Sequence, residues 1–284
     1  MYELEVIERE RDVGDHQVVF RSADEVKLLY GSLQDSRGSS ALRFVECGNA
    51  FRTFELFDEA LECYGEGIGR DSRCFQAYVR RGELLFELAV CGRTDEEILR
   101  FGSRSVDDFR KALVLSLGAN DVVWQLATAL LLVDDAAGAQ ALVDKVLMKG
   151  HSVATAVRCD FLYLSGLAMV FKREQFAADE VFEELVGLDC SVESGWFGKL
   201  VSCLALSDGA GAEVILTELQ LRDVVLWEAG QGLQRSGCGR FVDVAKALLD
   251  VGRSTGEGGT VPAGRRKPLT AVQKQIKLRA ADVM

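Results

Sequence analysis

Proline is nearly absent from this sequence, and both copies lie near the C-terminus. Among 284 residues the only prolines are Pro262 and Pro268. Residues 1–261 therefore lack the residue that interrupts helices most strongly. Glycine, by contrast, occurs 28 times, often where a helical pattern ends. This combination favours many helices joined by short glycine-containing turns.

Residues suited to catalysis are also scarce. Only two histidines, His16 and His151, are available for acid–base chemistry or metal binding. The phosphate loop GxxxxGK[ST], the zinc motif HExxH and the nucleophile motif GxSxG do not occur. Paired acids at 107–108 and 134–135 fall at predicted helix starts or on solvated faces, where they complement the helix dipole. We therefore expect a protein that is not an enzyme and that needs no cofactor or metal.

The eight cysteines show no CxxC spacing, so a structural zinc site is not predicted. Most of them fall inside apolar helical patterns, which is typical of buried free thiols in a reducing compartment. The acidic N-terminus, MYELEVIERERD, lacks the apolar core of a signal peptide. The longest apolar runs are also shorter than the roughly 18 residues of a membrane span. We expect a cytoplasmic protein without a membrane span.

Charge is unevenly distributed along the chain. Residues 253–284 carry seven basic residues against two acidic ones, a net +5, which leaves −16 for the rest of a chain whose total is −11. An acidic body repels nucleic-acid phosphates and anionic lipid headgroups. We therefore expect no nucleic-acid binding by the body, and any contact with polyanions would have to use the tail.

The clearest periodic pattern covers residues 41–72. Apolar and small residues recur there every three or four positions in two stretches separated by a short turn, which predicts a pair of helices. The segment resembles the 34-residue tetratricopeptide repeat (TPR) family, which alternates aromatic and small residues at fixed positions. Those positions hold Phe44, Gly48, Phe51, Ala60, Tyr64 and Gly67.

A second unit begins at Phe75 and places Gly82 and Phe109 at family positions. Its two helices are separated by eleven more residues than the family pattern, roughly Gly92 to Gly102. We predict a loop insertion there, part of which forms an extra helical turn. Weaker units begin at residues 120, 159 and 193, and a final pair lies near residues 225–252.

This resemblance implies an all-α fold, a right-handed superhelical solenoid of antiparallel helix pairs. Each pair buries its apolar face only against its neighbours, so several units are needed for stability. We expect three regions: an N-terminal capping segment (1–39), with one helix from about Ala23 to Leu33, a repeat array (40–252) with the insertion near 92–102, and a basic flexible tail (253–284). The capping helix is predicted from Ser22 and Glu25, which have the spacing of a capping box.

In the TPR family the first helix of each pair lines a concave groove that holds a ligand. Here the groove is predicted to change from mixed polar to apolar along the array, and an exposed apolar surface usually marks a binding site. Two alternatives stay open, since the register could be shifted by one residue in the weaker units, or these residues could be core. The predicted partner-binding residues are Asn49, Arg52, Phe86, Trp124, Leu131, Tyr163, Leu167, Phe171, Phe197 and Val201.

Some TPR proteins hold the acidic C-terminal tails of chaperones in a clamp of lysines, asparagines and an arginine. Asn49 matches that clamp, but Val45 and Arg80 occupy positions where it has lysine and asparagine. No lysine or arginine occurs from 114 to 144. Without these cations a carboxylate pair is not held, so chaperone tails are not expected partners.

Two functional hypotheses follow. The first is a protein-binding scaffold or adaptor in a hetero-complex, holding a partner helix or peptide in the groove. The second is a factor that contacts nucleic acid or membrane through its tail, whose binding should weaken steeply with salt. The tail either docks on protein or stays mobile. Its predicted contact residues are Arg265, Arg266, Lys267, Val272, Ile276 and Leu278.

Overall fold

The computed structural model describes residues 20–36, 38–149, 154–188 and 192–256. Within these ranges the chain forms thirteen α-helices and no strand, which confirms the all-α prediction. The helices are α1 (Ala23–Asp35), α2 (Ala41–Thr53), α3 (Phe57–Arg70), α4 (Phe75–Val90), α5 (Asp95–Leu115), α6 (Asn120–Leu132), α7 (Ala136–Leu147), α8 (Thr155–Phe171), α9 (Gln175–Val186), α10 (Val192–Ala205), α11 (Gly209–Arg222), α12 (Val224–Ser236) and α13 (Phe241–Gly256).

Each helix packs against the next along the chain, as expected for a solenoid of helix pairs. Units one to five are the pairs α2–α3, α4–α5, α6–α7, α8–α9 and α10–α11, and α12–α13 is the last pair. The even-numbered helices also pack on one another in series, α2 on α4, α4 on α6, and so on to α12. We call these helices, α2 to α12, the inner layer.

Glycines on the inner layer allow close approach of aromatic rings from the odd-numbered helices. A Cβ atom at Gly48 of α2 would lie 2.5 Å from the ring of Tyr64 on α3, and one at Gly82 of α4 would lie 2.9 Å from the ring of Phe109 on α5. Both rings are fully buried. Only glycine leaves room for these rings, so the small and aromatic positions of the repeat specify one contact.

In unit four a single aromatic ring makes this kind of contact with two glycines. Phe182 of α9 is fully buried and lies between Gly166 of α8 and Gly198 of α10. A Cβ atom at either glycine would come within 2.4 Å of the ring. Phe182 therefore joins two inner helices as well as pairing its own unit.

The turns inside four of the units share one backbone geometry. In each turn a residue other than glycine adopts a left-handed conformation, with φ between 58° and 68°. The N–H of the following residue donates to a carbonyl five residues earlier, at 2.8–3.0 Å. This closes the helix end as in a Schellman motif. The left-handed residues are Glu55, Asp134, Arg173 and Ser207.

The segment Gly92–Gly102 differs from its predicted structure. Most of it forms the first two turns of α5 rather than a loop. Thr94 caps the helix by accepting from the N–H of Glu97 at 3.2 Å, and the Glu97 carboxylate accepts from the N–H of Arg93 at 2.9 Å. Because this cap starts the helix early and Ile98 is buried beneath it, the insertion lengthens α5.

The N-terminal helix α1 begins at Ala23, where the sequence predicts it. The hydroxyl of Ser22 accepts from the N–H of Glu25 at 3.4 Å, as the capping-box spacing suggests. Val26 and Leu33 are buried in the same core as α2 and α3. The helix thus covers the open face of unit one.

Candidate functional site: the inner layer of the repeat array

The last helix leaves the array by a different turn from the earlier ones. After α12 the backbone at Gly237 has φ 90° and ψ 163°, which is an extended conformation accessible mainly to glycine rather than the left-handed helical turn of units one, three, four and five. Residues 238–240 then lead into α13. As a result α13 packs against α4 and α6 of the inner layer as well as against α12.

Specific contacts fix α13 at this place. The guanidinium of Arg240 pairs with the Asp95 carboxylate at 2.9 Å, and the Lys246 ammonium donates to the carbonyl of Gly92 at 3.0 Å. The ring of Phe241 packs edge-on against that of Phe171, with centroids 6.1 Å apart. The end of the array therefore meets units two and four across the inner layer.

The first eight residues of α13 are buried on several sides, as expected for a helix that lies in a groove. Six of the eight residues from Phe241 to Leu248 are buried, and the other two, Asp243 and Lys246, are half-buried. With 100° between successive residues, the buried positions span about 220° of the helix. A helix lying on a flat surface buries a narrower stripe, so α13 is contacted from more than one side.

The predicted apolar groove residues are buried in one core with α13. Phe171 is half-buried against Phe241, and Tyr163 lies close to the thiol of Cys238; burial, with a smaller contribution from that thiol, raises the pKa of Tyr163. The groove is thus not open in this structure, and partner binding there stays a prediction. Exposed fractions lie between 0% and 6% for Trp124, Leu131, Tyr163, Leu167, Phe197 and Val201.

The other half of the inner layer, in units one to three, is polar. Arg52 pairs with Glu87 and lies 3.5 Å from Glu83. Glu83 also pairs with Arg80 at 3.0 Å and accepts from the Gln125 amide at 2.9 Å. Burial alone would lower the pKa of Arg52, but the two carboxylates outweigh it and raise the pKa. The two carboxylates therefore favour the charged form of Arg52.

The remaining predicted groove residues lie beside this network. The amide oxygen of Asn49 accepts from the hydroxyl of Tyr64 at 2.9 Å, and Phe86 is buried. Sequence reasoning placed Asn49, Arg52 and Phe86 on one face, but it missed the pairing of Arg52 with Glu83 and Glu87. Their spacing on α4, four residues apart, is the signal that was available.

The predicted tail contacts, Arg265, Arg266, Lys267, Val272, Ile276 and Leu278, lie outside the described residues. In the part of the chain that the structure describes, no helix is long and apolar enough to cross a membrane. The same residues contain no group of three or more side chains placed to bind a metal ion.

Comparison with known proteins identifies the fold. No known protein family and no curated protein matches the sequence. A tetratricopeptide repeat protein from Parabacteroides merdae ATCC 43184 is similar in structure, with a TM-score of 0.60 and 11% identity over 89% of this chain and 90% of that one. YrrB, described as a TPR protein with an unusual peptide-binding site, aligns at a TM-score of 0.47 with 14% identity over 71% of this chain and 96% of its own. The protein has the fold of a TPR-like solenoid.

Proposed function

We propose that this protein is a non-catalytic interaction scaffold, a subunit of a larger complex that holds a helix or peptide of a partner on its inner layer. The observation that carries the proposal is that the inner layer accommodates a helix, α13, against α4 and α6. It does so with apolar packing and a few polar contacts, the means by which grooves hold amphipathic helices. A partner helix would use the same interactions.

Part of the inner layer is accessible while α13 is in place. The side chain of Arg80 is 43% exposed, and Val79 and Asn49 next to it are half-buried. Because the charges of this region are paired with one another, they suit recognition of a polar peptide rather than proton transfer. A partner can therefore extend from the groove over units one and two.

The proposal is tested by reversing the charge of one arginine on α4, in the inner layer of unit two, and of another on α5 of the same unit. Arg80→Glu places a third carboxylate beside Glu83, whereas Arg104→Glu makes the same charge change at an exposed position of α5. We expect affinity purification with quantitative mass spectrometry to lose specific partners with Arg80→Glu and to keep them with Arg104→Glu. Identical partner lists for both variants and the wild type would refute the proposal.

The scaffold is proposed to reside in the cytoplasm, supported by five free cysteines among the described residues, Cys47, Cys63, Cys74, Cys203 and Cys238, which suit a reducing compartment. The alternative function, contact with polyanions through the basic tail, depends on residues outside the described ranges. No described residue favours it, and the acidic body opposes it.

A further inference from the structure

The connection to α13 differs from the turns inside units one, three, four and five, although α13 still packs against α12. Units one, three, four and five close their pairs through the same left-handed turn, which stacks each odd-numbered helix beside its own partner. Gly237 and Gly239 flank Cys238 in the last connection, and Gly237 has a positive φ outside the helical region. Two glycines in three residues give the backbone a wide choice of directions.

The contacts of α13 are of a kind that another helix can reproduce. Phe241, Val244, Ala245 and Leu248 are buried on adjoining positions, at the i, i+3, i+4, i+7 spacing of an amphipathic helix. The two polar contacts, from Arg240 and Lys246, are made by exposed or half-buried side chains at the edge. No contact requires that the helix belong to the same chain.

We infer that α13 is a self-ligand, a helix that occupies the binding groove of its own chain and that a partner helix replaces. The inference rests on the proposed function and identifies the ligand class of its groove. The partner is an amphipathic helix with an aromatic residue followed by small or aliphatic residues three, four and seven positions later. It carries one cation just before the aromatic, facing Asp95, and another five positions after it, facing the Gly92 carbonyl.

This arrangement predicts how affinity depends on α13. A ligand that needs the open groove binds with an apparent affinity reduced by the fraction of chains in which α13 is displaced. Weakening α13 in its own chain therefore strengthens binding of the same helix supplied from outside. An increase in affinity caused by a change within α13, which does not contact the added helix, indicates that α13 and the added helix compete for one groove.

The test uses the full-length chain and a fluorescein-labelled peptide of residues 238–252 carrying Cys238→Ser, with binding followed by anisotropy. Phe241→Ala removes the buried ring that packs on Phe171. We expect this variant to bind the peptide about tenfold more tightly than the wild type, or better. Phe176→Ala, which removes a ring that is almost fully exposed on α9, should leave the affinity unchanged.

A second pair of variants decides the matter if Phe241→Ala does not fold. Arg240→Glu repels Asp95 within the chain, while the peptide keeps its arginine, so its affinity should rise about three- to tenfold. The double variant Asp95→Arg/Arg240→Glu restores attraction within the chain and should bind the peptide no better than the wild type. A folded Phe241→Ala chain that binds no more tightly than the wild type, or an unchanged Arg240→Glu, overturns the inference.

The outcomes separate this inference from the proposed function. If the peptide competes as expected but neither Arg80→Glu nor Phe241→Ala alters partner capture, α13 is a self-ligand and the scaffold proposal fails. If Arg80→Glu loses partners but the peptide does not compete, the scaffold proposal stands and α13 is not a self-ligand. A wild-type dimer in light scattering that dissociates with Phe241→Ala would show α13 exchanged between two copies, and would overturn occupation within one chain.

Discussion

Arg240, just before the last helix, pairs with Asp95 in the first turn of α5, with 2.9 Å between nitrogen and oxygen, although the two residues are 145 positions apart in sequence. The hydrogen bond that Arg240 donates to the Asp95 carboxylate raises the pKa of Arg240. Asp95 also complements the N-terminal end of α5. The contact joins the last helix pair to unit two.

This ion pair should contribute little to stability by itself. Its side chains are 42% and 72% exposed, so water and salt screen their attraction. In a double-mutant cycle of Arg240→Ala and Asp95→Ala, measured by urea unfolding, we expect a coupling of less than about 1 kcal/mol. The coupling should shrink further in 1 M salt. A coupling above about 2 kcal/mol would mean that charge rather than apolar packing holds α13.

Gly166 should be intolerant of alanine. A Cβ atom there would meet the Phe182 ring at 2.4 Å, and Phe182 cannot retreat because Gly198 packs against the same ring. We expect Gly166→Ala to lower the free energy of unfolding by about 1–3 kcal/mol or more. Gly69→Ala is the matched control, because nothing lies within 4 Å of its Cβ position in α3.

The control substitution should stabilise the protein or leave it unchanged. Alanine exceeds glycine in helix propensity by about 1 kcal/mol. Equal effects of the two substitutions in a chemical denaturation series would show that the glycine-to-ring contact does not determine helix packing.

The ion pair of Arg81 and Asp108, between α4 and α5, is the second contact whose loss should destabilise the fold. The carboxylate of Asp108 accepts from two guanidinium nitrogens of Arg81, both at 2.8 Å, and this contact raises the pKa of Arg81. Asp108→Asn keeps the size but removes the charge, which leaves a mostly buried arginine without its counter-charge. We expect Asp108→Asn to lower the free energy of unfolding by about 1–3 kcal/mol, with the effect reduced because Arg81 is 24% exposed.

The control is Asp107→Asn on the exposed face, which should change the free energy of unfolding by less than about 0.5 kcal/mol. A thermal shift for Asp107→Asn as large as that for Asp108→Asn would contradict this assignment.

The paired contacts of the array could be predicted from sequence because they are local. Gly48 with Tyr64 and Gly82 with Phe109 occupy repeat positions that alternate small and aromatic, and the structure places each ring on its glycine. Capping chemistry is equally local, as Ser22 shows for α1. The start of α5 carries the same signal in Thr94 and Glu97, whereas the family spacing predicts a loop there, and the structure follows the cap.

The position of α13 could not be predicted in this way. Its periodicity indicates a helix, yet its partners in α4 and α6 are set by how far the array curves over several units. Small rotations per unit add up, and no single unit contains that information. The same limit applies to the groove residues: Trp124 and Tyr163 occupy inner positions, and both are buried in a core that also includes residues of α13.

Cys238 offers a direct measurement of whether α13 is docked. Its thiol is buried, and burial together with the nearby Asp243 carboxylate raises its pKa from about 9.0 to about 12. At pH 8 the reactive thiolate is then about a thousandfold scarcer than for an ordinary cysteine. Iodoacetamide labelling read by peptide mass spectrometry should therefore modify the exposed Cys91 long before Cys238.

The pH dependence has a definite sign. Because docking raises the pKa of the Cys238 thiol, its labelling should stay slow as the pH rises from 7 to 10, and the docked state should lose stability above pH 9, where the undocked thiol ionises. Phe241→Ala should speed the labelling of Cys238 by lowering its pKa and exposing it. Cys63, fully buried between α2 and α3, should stay unmodified if only α13 has moved. Labelling of Cys63 together with Cys238 would instead show global unfolding, and equal rates for Cys238 and Cys91 in the wild type would show that α13 is not docked in solution.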